Sequence, residues 1–332
     1  MKINHILSFA LLFTLSFSCQ SDQDSAAIEA DSLVSNVSDT LVQNGVELIV
    51  LGTVQDAGSP QINCKKECCI ALFDQPDESR KVVSLGLVDH DHQTRYLLEA
   101  TPDMVQQLND LQNAAAVAKS DVPDGVFLTH GHIGHYTGLM YFGKEAMNAE
   151  QVPVFAMPRM ADFLTTSGPW SQLVTRENIA INRIKQDSVI QLNQQLNITP
   201  ILVPHRDEYS ETVGFYIVGP NKSALFIPDI DKWTKWGEEK ICEWIKRVDY
   251  AFLDATFYDA EEINNRDITE IPHPFVVESF KTFEKLSKEE KAKIYFIHFN
   301  HTNPLLLKGS NAQMEVESKG FHFAEKGQRF SL

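Results

Sequence analysis

The sequence predicts a layered α/β domain, and three observations carry that prediction. Short apolar runs rich in β-formers alternate with helical patterns from about residue 46 to the C-terminus. Several of those runs close on a histidine or an aspartate, at the strand ends where α/β sheets place their chemistry. No repeat at a solenoid period is present, and no second low-complexity stretch follows residue 45, so one domain over residues 46–332 fits better than an array.

The chain has 332 residues, 43% hydrophobic and 22% charged, enough to bury a sizeable core. Its 45 acidic against 29 basic residues give a formal charge of −16 without a local basic patch, which argues against a nucleic-acid partner. A small-molecule substrate is the expected partner, and oligomeric state is not legible.

Residues 1–19 read as an export signal. Lys2 supplies a positive start, Ile6 to Phe17 is mostly apolar, and Ser18-Cys19 puts a small residue before a cysteine. The stretch is short for a bilayer span. A bacterial lipoprotein signal resembles it, with cleavage before Cys19 and a lipid anchor on that sulfur, facing the periplasm or cell surface; an ordinary cleaved signal and a short anchor are the alternatives. Each takes the protein out of the cytoplasm. Residues 20–45 are acidic and Ser-rich without an apolar period, as expected of a flexible tether.

Val46 to Val54 reads as a buried strand ending in the turn-prone QDAGSP. Val82–Val88 and Thr94–Ala100 read as a hairpin about DHDHQ. Thr101 then looks like a cap, and Pro102 begins a helix predicted to about Lys119. GVFLT, from Gly125, is the next buried strand. Further strands are expected at Val154–Ala156, Ile198–Val203, Val213–Val218, Ala224–Ile227, Tyr250–Leu253 and Lys293–His298, with helices over Lys235–Arg247 and Phe275–Leu286.

The chemistry concentrates in THGHIGHYTG, directly after GVFL. His130, His132 and His135 fall within six residues, and neutral imidazole is the commonest transition-metal ligand. Further donors close later apolar runs: His205 ends ITPILVPH, Asp229 ends SALFIPD, and His298 lies in KIYFIHFNH. Singly, each reads equally as a capping aspartate or a satisfied histidine; their shared position at strand ends favours one metal site.

The series THGHIGH, VPH, FIPD and FIHFNH resembles the metallo-β-lactamase superfamily over about residues 46–332. That resemblance implies an αββα sandwich, two mixed sheets flanked by helices. It also implies that His130, His132 and His205 hold a first metal, that His135 and His298 hold a second, and that Asp229 bridges them. The superfamily loop is usually HxHxDH, and here Gly134 takes the aspartate position, so the expectation is a second site that is weak or empty. Within the superfamily, LGTVQDAGSPQINC, FIPDIDKW, FLDATFYDAEE and FIHFNHTNP are similar to the pyrroloquinoline-quinone (PQQ) biosynthesis protein B family, although all three loop histidines are intact here.

Zinc is the expected ion, one or two in number, with manganese or iron as alternatives. A metal on three histidines with an open position brings bound water toward neutral pKa, so that hydroxide can attack a phosphodiester, ester or lactam. Asp229 is expected to orient or deprotonate that water. His273, in IPHP, is the candidate proton donor, against a reading as a histidine beside prolines at a helix start. Asp56 and Tyr136 are expected to line the pocket. A metal-dependent hydrolase is therefore the leading expectation; an iron-dependent oxygenase in PQQ-like cofactor biosynthesis and a non-catalytic metal-binding protein are the alternatives. Cys64, Cys68 and Cys69, in CKKECC, resemble with His301 a structural zinc site of related phosphodiesterases. The adjacency of Cys68 and Cys69 argues against joint ligation, and a disulfide or buried thiols fit an exported protein equally well. Cys242, on a predicted helix, reads as core.

Overall fold

The computed structural model describes residues 44–115, 120–264 and 266–332; the export signal, Cys19 and nearly all of the tether lie outside the described residues. No described helix is long and apolar enough to cross a membrane. The chain supplies its strands in two series. The first is β1 (Val46–Gly52), β2 (Ser84–Asp89), β3 (Thr94–Leu98), β4 (Gly125–Phe127), β5 (Val152–Ala156) and β6 (Ile179–Arg183). The second is β7 (Ile190–Gln191), β8 (Asn197–Leu202), β9 (Val213–Val218), β10 (Ser223–Ile227), β11 (Tyr250–Asp254), β12 (Ile294–Ile297) and β13 (His322–Phe323). A last strand, β14 (Arg329–Ser331), returns to the first sheet and pairs with β1, Leu48 opposite Phe330.

The sheets run in the orders β14-β1-β2-β3-β4-β5-β6 and β13-β12-β11-β10-β9-β8-β7. Both are mixed: β1, β2 and β3 are antiparallel and β3 to β6 parallel, while β8, β9 and β10 are antiparallel and β10 to β13 parallel. Strands such as β2 and β10 are buried along their whole length, as strands covered on both faces must be.

Between the sheets, Leu48, Leu85 and Phe127 of the first meet Phe215, Phe226 and Phe252 of the second. Phe127 stacks on Phe155 at 4.3 Å and meets Phe215 edge-on at 5.7 Å, so aromatic packing joins the two sheets. The outer face of the first sheet is covered by helices Met104–Ala114 and Pro158–Thr166. Helices Glu238–Arg247, Val276–Thr282 and Asn311–Ser318 cover the second. The result is the expected four-layer αββα sandwich.

Several local expectations need correction. The helix predicted over Pro102–Lys119 spans Met104–Ala114. Thr101 Oγ1 accepts from Asp103 N and holds Pro102 in a turn, while the Asp103 carboxylate is drawn away to Val82 N. Residues 116–119 lie outside the described chain. The helix predicted over Lys235–Arg247 is two, Trp233–Trp236 and Glu238–Arg247, broken at Gly237 with φ 107°. The helix expected over Phe275–Leu286 is Val276–Thr282, with Phe275 at its N-cap. Strands β6, β7, β13 and β14 were not predicted. β6 has a polar, exposed C-terminal end, and the others are too short to show a period; pairing makes them strands. Cys242 leans half-buried against the outer core.

Replacing Phe215 with alanine should cost about 3–5 kcal/mol, because the cavity opens where the two sheets interlock. Equilibrium urea unfolding reads this; a loss below about 1 kcal/mol would show that the sheets slide together to fill the space.

Candidate metal centre

The strand ends deliver a cluster whose unshared electron pairs converge. His130 and His132 follow β4, His205 follows β8, and Asp229 follows β10. His132 Nδ1 lies 2.8 Å from His130 Nε2 and 3.2 Å from His205 Nε2. Asp229 Oδ2 lies 3.3 Å from His130 Nε2, 3.1 Å from His205 Nε2 and 3.9 Å from His132 Nδ1. These edges scatter about the roughly 3.3 Å edge of a tetrahedron with metal–nitrogen bonds of about 2.0–2.1 Å.

The outer partners fix where the imidazole protons sit. His205 Nδ1 faces Asp231 Oδ1 at 3.3 Å, and His132 Nε2 faces Glu208 Oε2 at 3.2 Å. Carboxylates only accept, so each ring carries its proton on that side and turns a lone pair toward the other ring and toward Asp229. Lone pairs so close in a buried site repel unless a cation lies among them. Burial, followed by the charge of His135, holds His130 well below the usual histidine range and keeps it neutral. The donor set therefore fits a divalent metal of the zinc class.

A second cluster adjoins the first. His135 Nε2 is 3.8 Å from Asp229 Oδ2, and its Nδ1 faces Glu99 Oε2 at 3.5 Å. Thr256 Oγ1 gives its proton to Asp254 Oδ1 at 2.6 Å, so it accepts from His298 Nδ1 at 2.9 Å. That leaves His298 Nε2 as a lone pair, fully buried and without a hydrogen-bond partner, as is His135 Nε2. Asp56 completes a group with His135 and His298 whose ligand atoms all lie within 4.8 Å of one another. Gly134 carries no carboxylate to this side, and the Asp56 carboxylate, after β1, stands beside it.

Backbone conformation at this cluster is special as well. Glu99 and His298 adopt φ of 79° and 70°, the left-handed region that side chains rarely occupy. Each ends a strand beside the cluster, so the surrounding fold holds two costly conformations where ligands must be aimed. Burial pushes His135 down, but Glu99, Asp56 and Asp229 outweigh it and raise it to about 9.

His273 lies at the rim in the loop before Val276, not inside a helix. Its Nδ1 is 3.0 Å from Asp254 Oδ2 and 3.2 Å from Asp229 Oδ1. Burial opposes its charge, yet these two carboxylates raise it well above the ordinary histidine value. Asp229 is held well below the usual carboxylate range against its burial, chiefly by the charge of His273, with the imidazoles of His130, His132 and His205 close to its carboxylate. Tyr136, expected in the pocket, is buried in the core against Phe163 and Trp170 instead.

A separate cluster gathers Cys64, Cys68, Cys69 and His301 within 4.8 Å. The adjacent cysteines do converge: they sit on the short helix Glu67–Ile70 with Sγ atoms 3.8 Å apart, about the S···S edge of a tetrahedral site with roughly 2.3 Å zinc–sulfur bonds. All four described cysteines are free thiols, so no disulfide forms here. Burial, with its cysteine neighbours, raises Cys68 to about 12 and keeps it a neutral thiol, while a backbone hydrogen bond at Lys66 lowers Cys64.

Sequence reasoning missed Glu99, Asp231, Asp254 and Glu208, which bind the ligands from behind. Asp231 and Asp254 stand inside FIPDIDKW and FLDATF, two strings already singled out, whereas nothing local marks Glu99 or Glu208.

A sandwich that collects histidines and aspartates from strand ends of both sheets defines a metal-site protein of the metallo-β-lactamase fold. The chain belongs to the β-lactamase superfamily: the model of the "Beta-lactamase superfamily domain" matches residues 94–299. It is 25% identical over 308 residues to the coenzyme PQQ synthesis protein B of Gluconobacter oxydans, covering 86% of this chain and 99% of that one. A similar relative from Methylobacillus flagellatus is 25% identical over 310 residues, covering 85% and 99%. Among solved structures, zinc-bound PqqB from Methylobacterium extorquens superposes with a TM-score of 0.68 at 22% identity, over 86% of this chain and all of that one. A diphosphatase from the PhnP family superposes at 0.58 with 21% identity, over 87% and 97%.

Glu99→Gln should weaken metal binding about 10–100-fold, since it removes the buried negative charge 3.5 Å behind His135 Nδ1. Calorimetric zinc titration checks this, and unchanged affinity would show that Glu99 only fills space.

Proposed function

We propose that this chain is a metal-dependent hydrolase of a small phosphodiester, ester or lactam. The observation that carries the reading is the convergence of imidazole lone pairs on Asp229, with all three loop histidines intact. His130, His132, His205 and Asp229 would hold one ion, zinc by its nitrogen-rich donor set, with His135 and His298 beside it. Bound divalent ions supply Lewis-acid activation of water and of the scissile centre. Asp229, held so far down the acid scale, is a weak base and orients water more than it deprotonates it. His273, raised well above the ordinary histidine value by Asp229 and Asp254 against its burial, holds on to its proton, which suits donation to a leaving group at the rim. We place Cys64, Cys68, Cys69 and His301 as a second, structural zinc site, and we assign the exported, lipid-anchored form at Cys19 as its location.

A second reading, an iron-dependent oxygenase, is favoured by the near full-length similarity to coenzyme PQQ synthesis protein B. The first cluster, with three histidines and one carboxylate, departs from the facial triad of such oxygenases, whereas Asp56, His135 and His298 in the second match its two histidines and one carboxylate, so the identity of the bound metal discriminates between the readings.

His132→Ala should abolish both the first-site ion and turnover. Elemental analysis, followed by a phosphodiester, ester and lactam panel, checks both; iron with oxygen-dependent turnover would overturn the hydrolase in favour of the second reading. Asp254→Asn should lower kcat and shift the basic limb of the pH–rate profile downward, because His273 loses one of the two acids that keep it protonated. An unmoved basic limb would remove His273 from the donor role.

A further inference from the structure

Resting on the metal-centre reading above, we propose that Asp56 ligates a second ion together with His135, His298 and Asp229, and that Gly134 is a glycine in order to admit it. The Asp56 carboxylate, His135 and His298 present ligand atoms all within 4.8 Å of one another. Both imidazole Nε2 atoms are fully buried and without hydrogen-bond partners, so the group is aimed at something the protein itself does not supply.

The position of Asp56 is set by backbone. Gln55 N donates to Phe299 O at 2.8 Å, and Phe299 N donates to Thr53 O at 2.8 Å, so the segment after β1 runs beside the segment after β12. Asp56 and His298 thereby reach the same point from two neighbouring segments. Gly134 abuts this arrangement: a Cβ there would lie 2.1 Å from Asp56 Cβ and 2.6 Å from its Cα. No side chain at position 134 can share the space, and an acidic residue there could not be combined with the present course of Asp56. Two carboxylates, Asp56 and Asp229, also match the charge of two divalent ions better than Asp229 alone.

The same two segments continue into the cysteine cluster, through Cys64, Cys68 and Cys69 on one and His301 on the other. The Cys–His cluster therefore sits where it can clamp the segment that carries Asp56.

The test uses the full chain, stripped by chelator and titrated with zinc, with ions counted by elemental analysis. Cobalt loading counts the cysteine cluster separately, by its thiolate charge-transfer absorption. Wild type should take two ions in the histidine centre besides the cysteine-bound one. Asp56→Asn, an isosteric change, should keep the cysteine-bound ion and one histidine-centre ion, and should lose the other or bind it at least about tenfold more weakly. His132→Ala provides the reference for loss of the first ion. A wild-type protein with no ion outside the cysteine cluster defeats the metal-centre reading, and this proposal with it. Only one ion in the wild-type histidine centre, or two held unchanged by Asp56→Asn, overturns this proposal alone.

Discussion

Asp229 is the interaction on which the site is built. A carboxylate this deeply buried costs several kcal/mol unless compensated, and here the compensation comes from imidazoles on both sides. His130 and His205 approach one of its oxygens, and His273 approaches the other. Those residues leave the first sheet after β4 and the second after β8, and the loop before Val276. The αββα sandwich is therefore more than a container: the rim between its two sheets is where one acid can be met from several strand ends at once.

Compensation by histidine alone is incomplete, because a neutral ring offers an acceptor as often as a donor. The outer acids decide the matter. Asp231 and Glu208 each draw a ring proton outward, Thr256, already committed to Asp254, does the same for His298, and Glu99 faces His135 Nδ1 from 3.5 Å. Every outward proton leaves an inward lone pair. A site arranged this way repels itself when empty of cations and becomes cohesive when one enters, which is the physical meaning of pairing metal ligands with acids behind them.

Much of this was legible in the sequence, for a definite reason. THGHIGH, VPH, FIPD and FIHFNH each combine a buried strand with a polar residue at its end, and that junction is local, so it survives in one dimension. The sandwich itself followed from the alternation of strand and helix patterns. What failed to show was non-local. β14 is a strand because β1 needs a partner, and Glu99 matters because the turn of β3 brings it beneath His135. The adjacency of Cys68 and Cys69 misled for the same reason: their shared direction is a property of the turn at Glu67–Ile70.

Gly134 shows the limit most clearly. Read along the chain, it is a lost carboxylate in an otherwise complete loop, and the inference of a weakened second site follows naturally. In space, the carboxylate of Asp56 stands against it, delivered from 78 positions earlier by a segment that Phe299 holds in place. A motif records which residues a chain position carries, whereas a metal responds only to which atoms surround it. Substituting a glycine within the loop and an acid outside it leaves that surrounding nearly the same, provided the two changes occur together, and the close approach of Asp56 to Gly134 is the steric reason they must.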